Sequence, residues 1–250
     1  MRTPFTRPLA ISGRLGYGQR VTTLLPSLVG LSLGMRHALE PDHLAAVSTL
    51  ASQERGGLKA SLRLGLFWGA GHTCALLVVG GTLAVLGAQM PAKLTLAFEL
   101  LVAVMISALG VRAVLRAVAE GRAGSQRVHA HGELTHTHAA PPEHLHLSRW
   151  TLSTRPLLIG LLHGLAGSGA LTALVLAELP TATQRLSYIA LFGAGSVLGM
   201  SALTGLAGLP LMHLARTPRL AAGVLLFTGL ISTSIGAWWG WAAMHQLIGG

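Results

Sequence analysis

Charged side chains are scarce in this 250-residue chain, at 10% of positions and with only eight Asp and Glu, against about 25% in soluble domains. Hydrophobic residues supply 51%, and there are 32 glycines. This excludes an ordinary soluble domain and predicts an all-α integral membrane protein, because in hydrocarbon every backbone polar group must be satisfied internally. A single cysteine, Cys74, excludes an intrachain disulfide. No Gly-x4-Gly-Lys-Ser/Thr sequence is present, so any nucleotide-driven step belongs to another chain. The first 20 residues hold Arg2, Arg7, Arg14 and Arg20, no acid, and no run resembling a signal-peptide core. The first spanning helix is therefore expected to act as its own uncleaved targeting signal. The formal net charge of +10 is not read as a nucleic-acid signal. The basic residues sit in loops and termini, which is how membrane proteins set their orientation.

Apolar windows of roughly 20 residues are the length a bilayer requires. They predict six spans, at about 22–50, 64–88, 95–117, 156–179, 186–214 and 219–246. The first is over-long and contains Pro41, which lacks a donor and clashes with the carbonyl of His37 four residues back; a kink is expected there. The connection over 119–150 differs from the others. It is polar and carries His129, His131, His136, His138, His144 and His146, a composition that reads as flexible and metal-binding.

Gly34-Met35-Arg36-His37-Ala38-Leu39 is echoed by Gly160-Leu161-Leu162-His163-Gly164-Leu165. Phe67-Trp68-Gly69-Ala70-Gly71-His72 is echoed by Leu191-Phe192-Gly193-Ala194-Gly195-Ser196, and Ser107 and Gly110 by Thr233 and Gly236. The expected organisation is thus a basic tail over 1–21, a three-helix repeat over 22–118, the His-rich loop over 119–150 and a second repeat over 151–250. An odd number of helices per repeat makes the halves inverted, as in many transporters. The connections after spans one, three and five hold eleven Lys and Arg, the opposite side six. The positive-inside rule then places the His-rich loop in the cytoplasm and both termini outside.

The chemistry concentrates in Gly34-Met35-Arg36-His37-Ala38-Leu39-Glu40-Pro41-Asp42-His43. A charge at mid-membrane costs at least about 2.5–3.5 kcal/mol, so such residues usually face a bundle interior and mark a pathway. On an ideal helix His37, Glu40 and His43 form a rotating stripe while Asp42 points elsewhere. A kink at Pro41 is expected to bring the two turns together and release the His37 carbonyl as a further ligand. Arg36 stands four residues before Glu40 and can neutralise it, leaving Asp42 as the carboxylate ligand. His72 and His163 lie mid-way along the second and fourth spans. His163, followed by Gly164 and Gly167-Ser168-Gly169, is either a further imidazole of the site or a mark of close helix contact. Imidazole suits Ni, Co, Zn and Cu, whereas Mg and Ca prefer oxygen cages. The candidate metal residues are His37, Asp42, His43, His72 and His163. The ion is substrate, and no resident cofactor is expected.

Arg36-His37-Ala38 through Asp42-His43, with Ala45-Ala46 following, resembles the His-x4-Asp-His signature of the nickel/cobalt transporter superfamily. Leu64-Gly65-Leu66-Phe67 and Gly71-His72-Thr73 resemble its next helix, and the His-rich loop resembles members of the wider superfamily. The family's acidic motifs in the second half have no counterpart here. The stretch from Leu162 to Gly169 is closer to the branch of urease-accessory-type membrane proteins and nickel/cobalt efflux permeases. The resemblance implies a secondary Ni²⁺ or Co²⁺ permease in the bacterial inner membrane, not an enzyme, with uptake and efflux both open.

Three other classes compete. A metal-handling accessory protein delivering nickel to enzyme maturation, with a metallochaperone or nickel-enzyme accessory partner, fits the His-rich loop equally well. A His-x4-Asp acyltransferase would use the histidine as general base but does not need His43 or His72. An anion exporter would find buried carboxylates of the wrong sign. The loop offers a direct test. Deleting residues 129–146 should leave metal transport at saturating concentration largely intact and alter it mainly at low metal, as read by radioactive nickel accumulation.

Overall fold

A computed structural model describes residues 28–53, 57–123, 149–214 and 217–249. Among them all regular structure is helical: α1 (28–37), α2 (Pro41–Gln53), α3 (Leu58–Ala75), a π-helical stretch (Leu76–Gly80), α4 (Gly81–Leu86), α5 (Ala92–Ala123), α6 (Arg149–Glu178), α7 (Ala182–Leu214) and α8 (Pro218–Gly249). Five stretches are long and apolar enough to cross a membrane: Leu58–Leu86, Ala92–Glu120, Thr154–Glu178, Ala182–Gly208 and Arg219–Gly249. The remaining predicted span, over 22–50, is described from residue 28 and consists of two helices. The loop histidines from His129 to His146 and the basic tail lie outside the described residues.

The break falls at residues 38–40, and Pro41 opens the second helix rather than bending a continuous one. At a first helical position proline loses nothing, since its missing N–H would be unpaired anyway. Asp42 then sits in the first turn of α2, where the exposed amides favour a negative charge. The expected release of the His37 carbonyl does not occur, because it accepts the Glu40 N–H at 3.0 Å.

Small residues set the packing. A Cβ on Gly160 of α6 would meet the Trp68 carbonyl oxygen and the His72 nitrogen, and one on Gly71 of α3 would meet Leu157 and Leu161. The backbones of α3 and α6 therefore touch and run parallel. Gly34 of α1 lies against the Phe192 carbonyl, and Gly195 of α7 against Leu31 and Met35, again in parallel. Gly65 faces Met200, Ser201 and Thr204 while Gly193 faces Thr73, so α3 and α7 are antiparallel. Gly110 packs on Gly229 and Thr233, and Gly236 on Ala103 and Ser107, making α5 and α8 an antiparallel pair. Close backbone approach of this kind is how helices associate in lipid, where no hydrophobic gain separates leucine from acyl chain.

The short helix α2 sits among α5, α7 and α8. The Thr49 and Ser232 hydroxyls lie 2.5 Å apart, and Ser232 donates to the Ala45 carbonyl at 2.8 Å, tying α2 to α8. One face of the bundle carries the turns over 87–91 and 179–181. There Arg185 donates to Leu179 O at 2.7 Å and to Ala84 O at 3.2 Å, joining the ends of α4 and α6 to the start of α7. We call this the turn face. The opposite, loop face holds the ends of α2, α5 and α7 and the starts of α3, α6 and α8. Outward positions are apolar, among them Leu115, Leu206, Phe227, Trp238 and Trp241, as lipid contact requires.

Gly160→Ala should destabilise the protein by about 1–3 kcal/mol, because the backbone atoms in its way cannot rotate aside. Gly223→Ala, with nothing near the added carbon, should be neutral. Thermal unfolding in detergent checks both.

Candidate metal site

Four imidazoles from four helices meet at mid-depth. His37 ends α1, His43 lies in the first turn of α2, His72 is on α3 and His163 on α6. His72 is the middle residue of the Leu58–Leu86 span, about 20 Å from either end at 1.5 Å per residue. Ring centroids are 4.4 Å apart for His37 and His43, 5.1 Å for His37 and His72, 5.4 Å for His43 and His72, and 4.2 Å for His43 and His163. His43, His72 and His163 are each at most 2% exposed. The close approach of α3 and α6 brings His72 and His163 to the same depth, while the break before Pro41 lets α1 and α2 offer histidines from two directions.

Carboxylates hold the outer nitrogens. Asp42 accepts from His43 Nδ1 at 3.0 Å and from His163 Nε2 at 2.9 Å, so one side chain joins α2 to α6. Glu40 accepts from His37 Nδ1 at 2.9 Å. Among the described residues no ion pair links Glu40 to Arg36, contrary to expectation: the break turns Glu40 toward His37. Asp42 also departs from the ideal-helix reading, since as an N-terminal residue of α2 it points across to α6.

What remains free is a set of buried ring nitrogens. His37 Nε2, His43 Nε2, both nitrogens of His72 and His163 Nδ1 have no hydrogen-bond partner. A buried polar atom without a partner costs free energy, so five in one place need a reason. With one ligand atom taken from each side chain, two triads lie within 4.8 Å, His37–His43–His72 and Asp42–His43–His163, sharing His43. Metal–nitrogen bonds near 2.0–2.1 Å place ligand atoms up to about 4 Å apart, so a small contraction would let either triad hold one ion. For His37, His43 and His163 a carboxylate on one ring nitrogen sets the tautomer and leaves the other nitrogen as a lone-pair donor, the usual arrangement around histidine ligands.

Two aromatic walls were not foreseen from the sequence. Trp68 stacks on His43 at 5.6 Å and 22° and lies 5.8 Å from His163. Phe192 lies 5.2 Å from His37. The four-residue spacing of Trp68 and His72 places them on one helix face, which is the signal that was available.

Residues 26–243 match the family described as High-affinity nickel-transport protein, NicO. The chain belongs to that family. The match runs through every helix from α1 to α8, including all five residues of the cluster. The urease accessory protein UreH of Bacillus sp. (strain TB-90) is 36% identical over 208 residues, covering 83% of this chain and 87% of that protein. No solved structure matches. Membership of a transport family, together with five apolar helices, makes this NicO protein a multi-pass membrane protein and sets the acyltransferase reading aside.

In protein lacking residues 129–146, so that the loop adds no background, His72→Ala should weaken Ni²⁺ binding at least about tenfold. His245→Ala should not, since its ring lies beside Trp241 on α8. Isothermal titration in detergent reads both.

Proposed function

We propose that this protein is a secondary permease that carries Ni²⁺ or Co²⁺ across the bacterial cell membrane, binding the ion at mid-depth through His37, His43, His72 and His163. Asp42 holds His43 and His163 in place, neutralises part of the ion's charge, and is the oxygen ligand available to the second triad. Glu40 does the same orienting work for His37. The observation that carries this reading is the set of buried, unpartnered imidazole nitrogens on rings packed together inside an apolar bundle. Donors of that kind suit nickel and cobalt, and the NicO membership points the same way. An ion entering such a site exchanges water for protein ligands, and only neutral imidazole can receive it.

We further read the chain as six passes in two inverted three-helix repeats, with α1 and α2 together forming the first pass. The reciprocal packing supports this. Gly34 meets Phe192 and Gly160 meets Trp68; Gly71 meets Leu157 and Leu161, and Gly195 meets Leu31 and Met35; Gly110 meets Gly229 and Thr233, and Gly236 meets Ala103 and Ser107. Each of these glycine contacts made by one half recurs in the other with the partners exchanged. His37 and His163 occupy matching places in the two halves, so the ion binds where the repeats meet, as is common in secondary transporters. The excess of Lys and Arg in the connections at the loop face supports a cytoplasmic location for that face.

The printed name of the UreH relative favours a second reading, in which the protein supplies nickel for enzyme maturation in company with accessory proteins. Accumulation of radioactive nickel and cobalt by cells expressing the protein separates the two. In the permease reading His37→Ala, His43→Ala and Asp42→Ala nearly abolish the change in metal accumulation that the protein produces. Asp42→Asn keeps an oxygen but loses the charge and one acceptor, and should cost about 10–100-fold in apparent affinity. Glu40→Gln, which keeps an acceptor for His37, should be milder. Unchanged accumulation in His43→Ala together with Asp42→Asn would overturn the proposed site and leave the permease reading resting on the family alone.

A further inference from the structure

The imidazole cluster is approachable from one side. A cavity of about 350 Å³ has His37, Asp42, His43 and His163 in its wall. That is space for a cation with part of its hydration shell, since a water takes about 30 Å³ in the liquid. The rest of the wall lies between the cluster and the turn face: Ala170 and Leu174 near the end of α6, Tyr188 near the start of α7, and Glu99 in the second turn of α5. On the other side of the cluster, toward the loop face, Ala46, Val47, Trp68 and Met200 are packed together with no more than 2% exposure each. In that layer Trp68 stacks on His43 and lies beside His163.

Glu99 is a carboxylate on a helix that contributes nothing to the cluster, and no hydrogen bond or ion pair of its side chain is found among the described residues. With Glu40 and Asp42 it gives the cavity three carboxylates against the one guanidinium of Arg36. His43 and His163, which line the wall, are both at least 98% buried, and each has one ring nitrogen without a hydrogen-bond partner. A negative, water-accessible vestibule ending in free imidazoles draws a dication inward and then strips its water.

We propose that this cavity is the entrance by which the divalent cation reaches the imidazole cluster from the turn face, and that Glu99 is the carboxylate that receives it there while it is still hydrated. Its role is separate from the final ligands: it raises the local concentration of the ion and contributes no bond at the cluster. The inference rests on the permease reading and adds the side of access and the residue that guards it.

Two measurements test it. Glu99→Gln should raise the KM for Ni²⁺ transport about five- to tenfold with little change in maximal rate, because it removes a charge that attracts the ion before it binds. Glu99→Asp should restore most of the affinity. In a Cys74→Ser background, a cysteine at Ala170 should react with a membrane-impermeant methanethiosulfonate from the same side as a marker cysteine at Gln89, and not from the side of one at Lys59. Ni²⁺ should slow that reaction. A wild-type KM in Glu99→Gln, labelling of position 170 from the Lys59 side or from neither, or labelling indifferent to Ni²⁺ would each overturn the proposal. If His43→Ala abolishes transport while these fail, the entrance is wrong and the permease reading stands. If His43→Ala also transports normally, the ion site of the permease reading is what has failed.

Discussion

Asp42 bridging His43 and His163 is the contact on which the site depends. Two N–H groups from different helices end on one carboxylate in the interior of an apolar bundle. Loss of the carboxylate would leave both rings free to turn and would remove what sets the direction of their remaining nitrogens. The same contact fixes the rotation of α2 about its axis. The rest of α2 is then constrained by the hydroxyl link from Thr49 and Ser232 to the Ala45 carbonyl.

Placing a carboxylate and four imidazoles so near one another requires backbones closer than ordinary side chains allow. Gly71 and Gly160 bring α3 against α6, and Gly34 and Gly195 bring α1 against α7. The glycines thereby determine the depth at which His72 and His163 meet. Trp68 and Phe192, packed against rings from α2, α6 and α1, fill the space beside the histidines that a void or a water would otherwise take. The packing that holds the helices together and the geometry of the candidate ion site are one arrangement.

Composition alone separates a membrane protein from a soluble one, and the motif from Gly34 to His43 marks where its chemistry lies. Both are local properties: hydropathy windows report helix length, and polar residues within an apolar run report a pathway. The ideal-helix stripe went wrong where local regularity ended. Pro41 opens a new helix, so Asp42 crosses to α6 and Glu40 turns to His37 instead of Arg36. His163 had two readings because a histidine among glycines is equally consistent with packing and with ligation. Its partner, Asp42, lies on another helix, and no periodicity along α6 refers to it.

The sequence by itself determined that the protein is helical and lipid-embedded, that its chain breaks near Pro41, and which side chains have the chemistry to bind nickel or cobalt. These follow from solvation and backbone sterics, which act residue by residue. The tertiary structure alone decided which ring nitrogens are left free, which carboxylate holds which histidine, and that the apolar layer around Trp68 closes one side while Glu99 borders an opening on the other. Those outcomes depend on the rotation and depth of each helix against its neighbours. They are settled by contacts between glycine backbones far apart in the chain, and these leave no periodic trace along it.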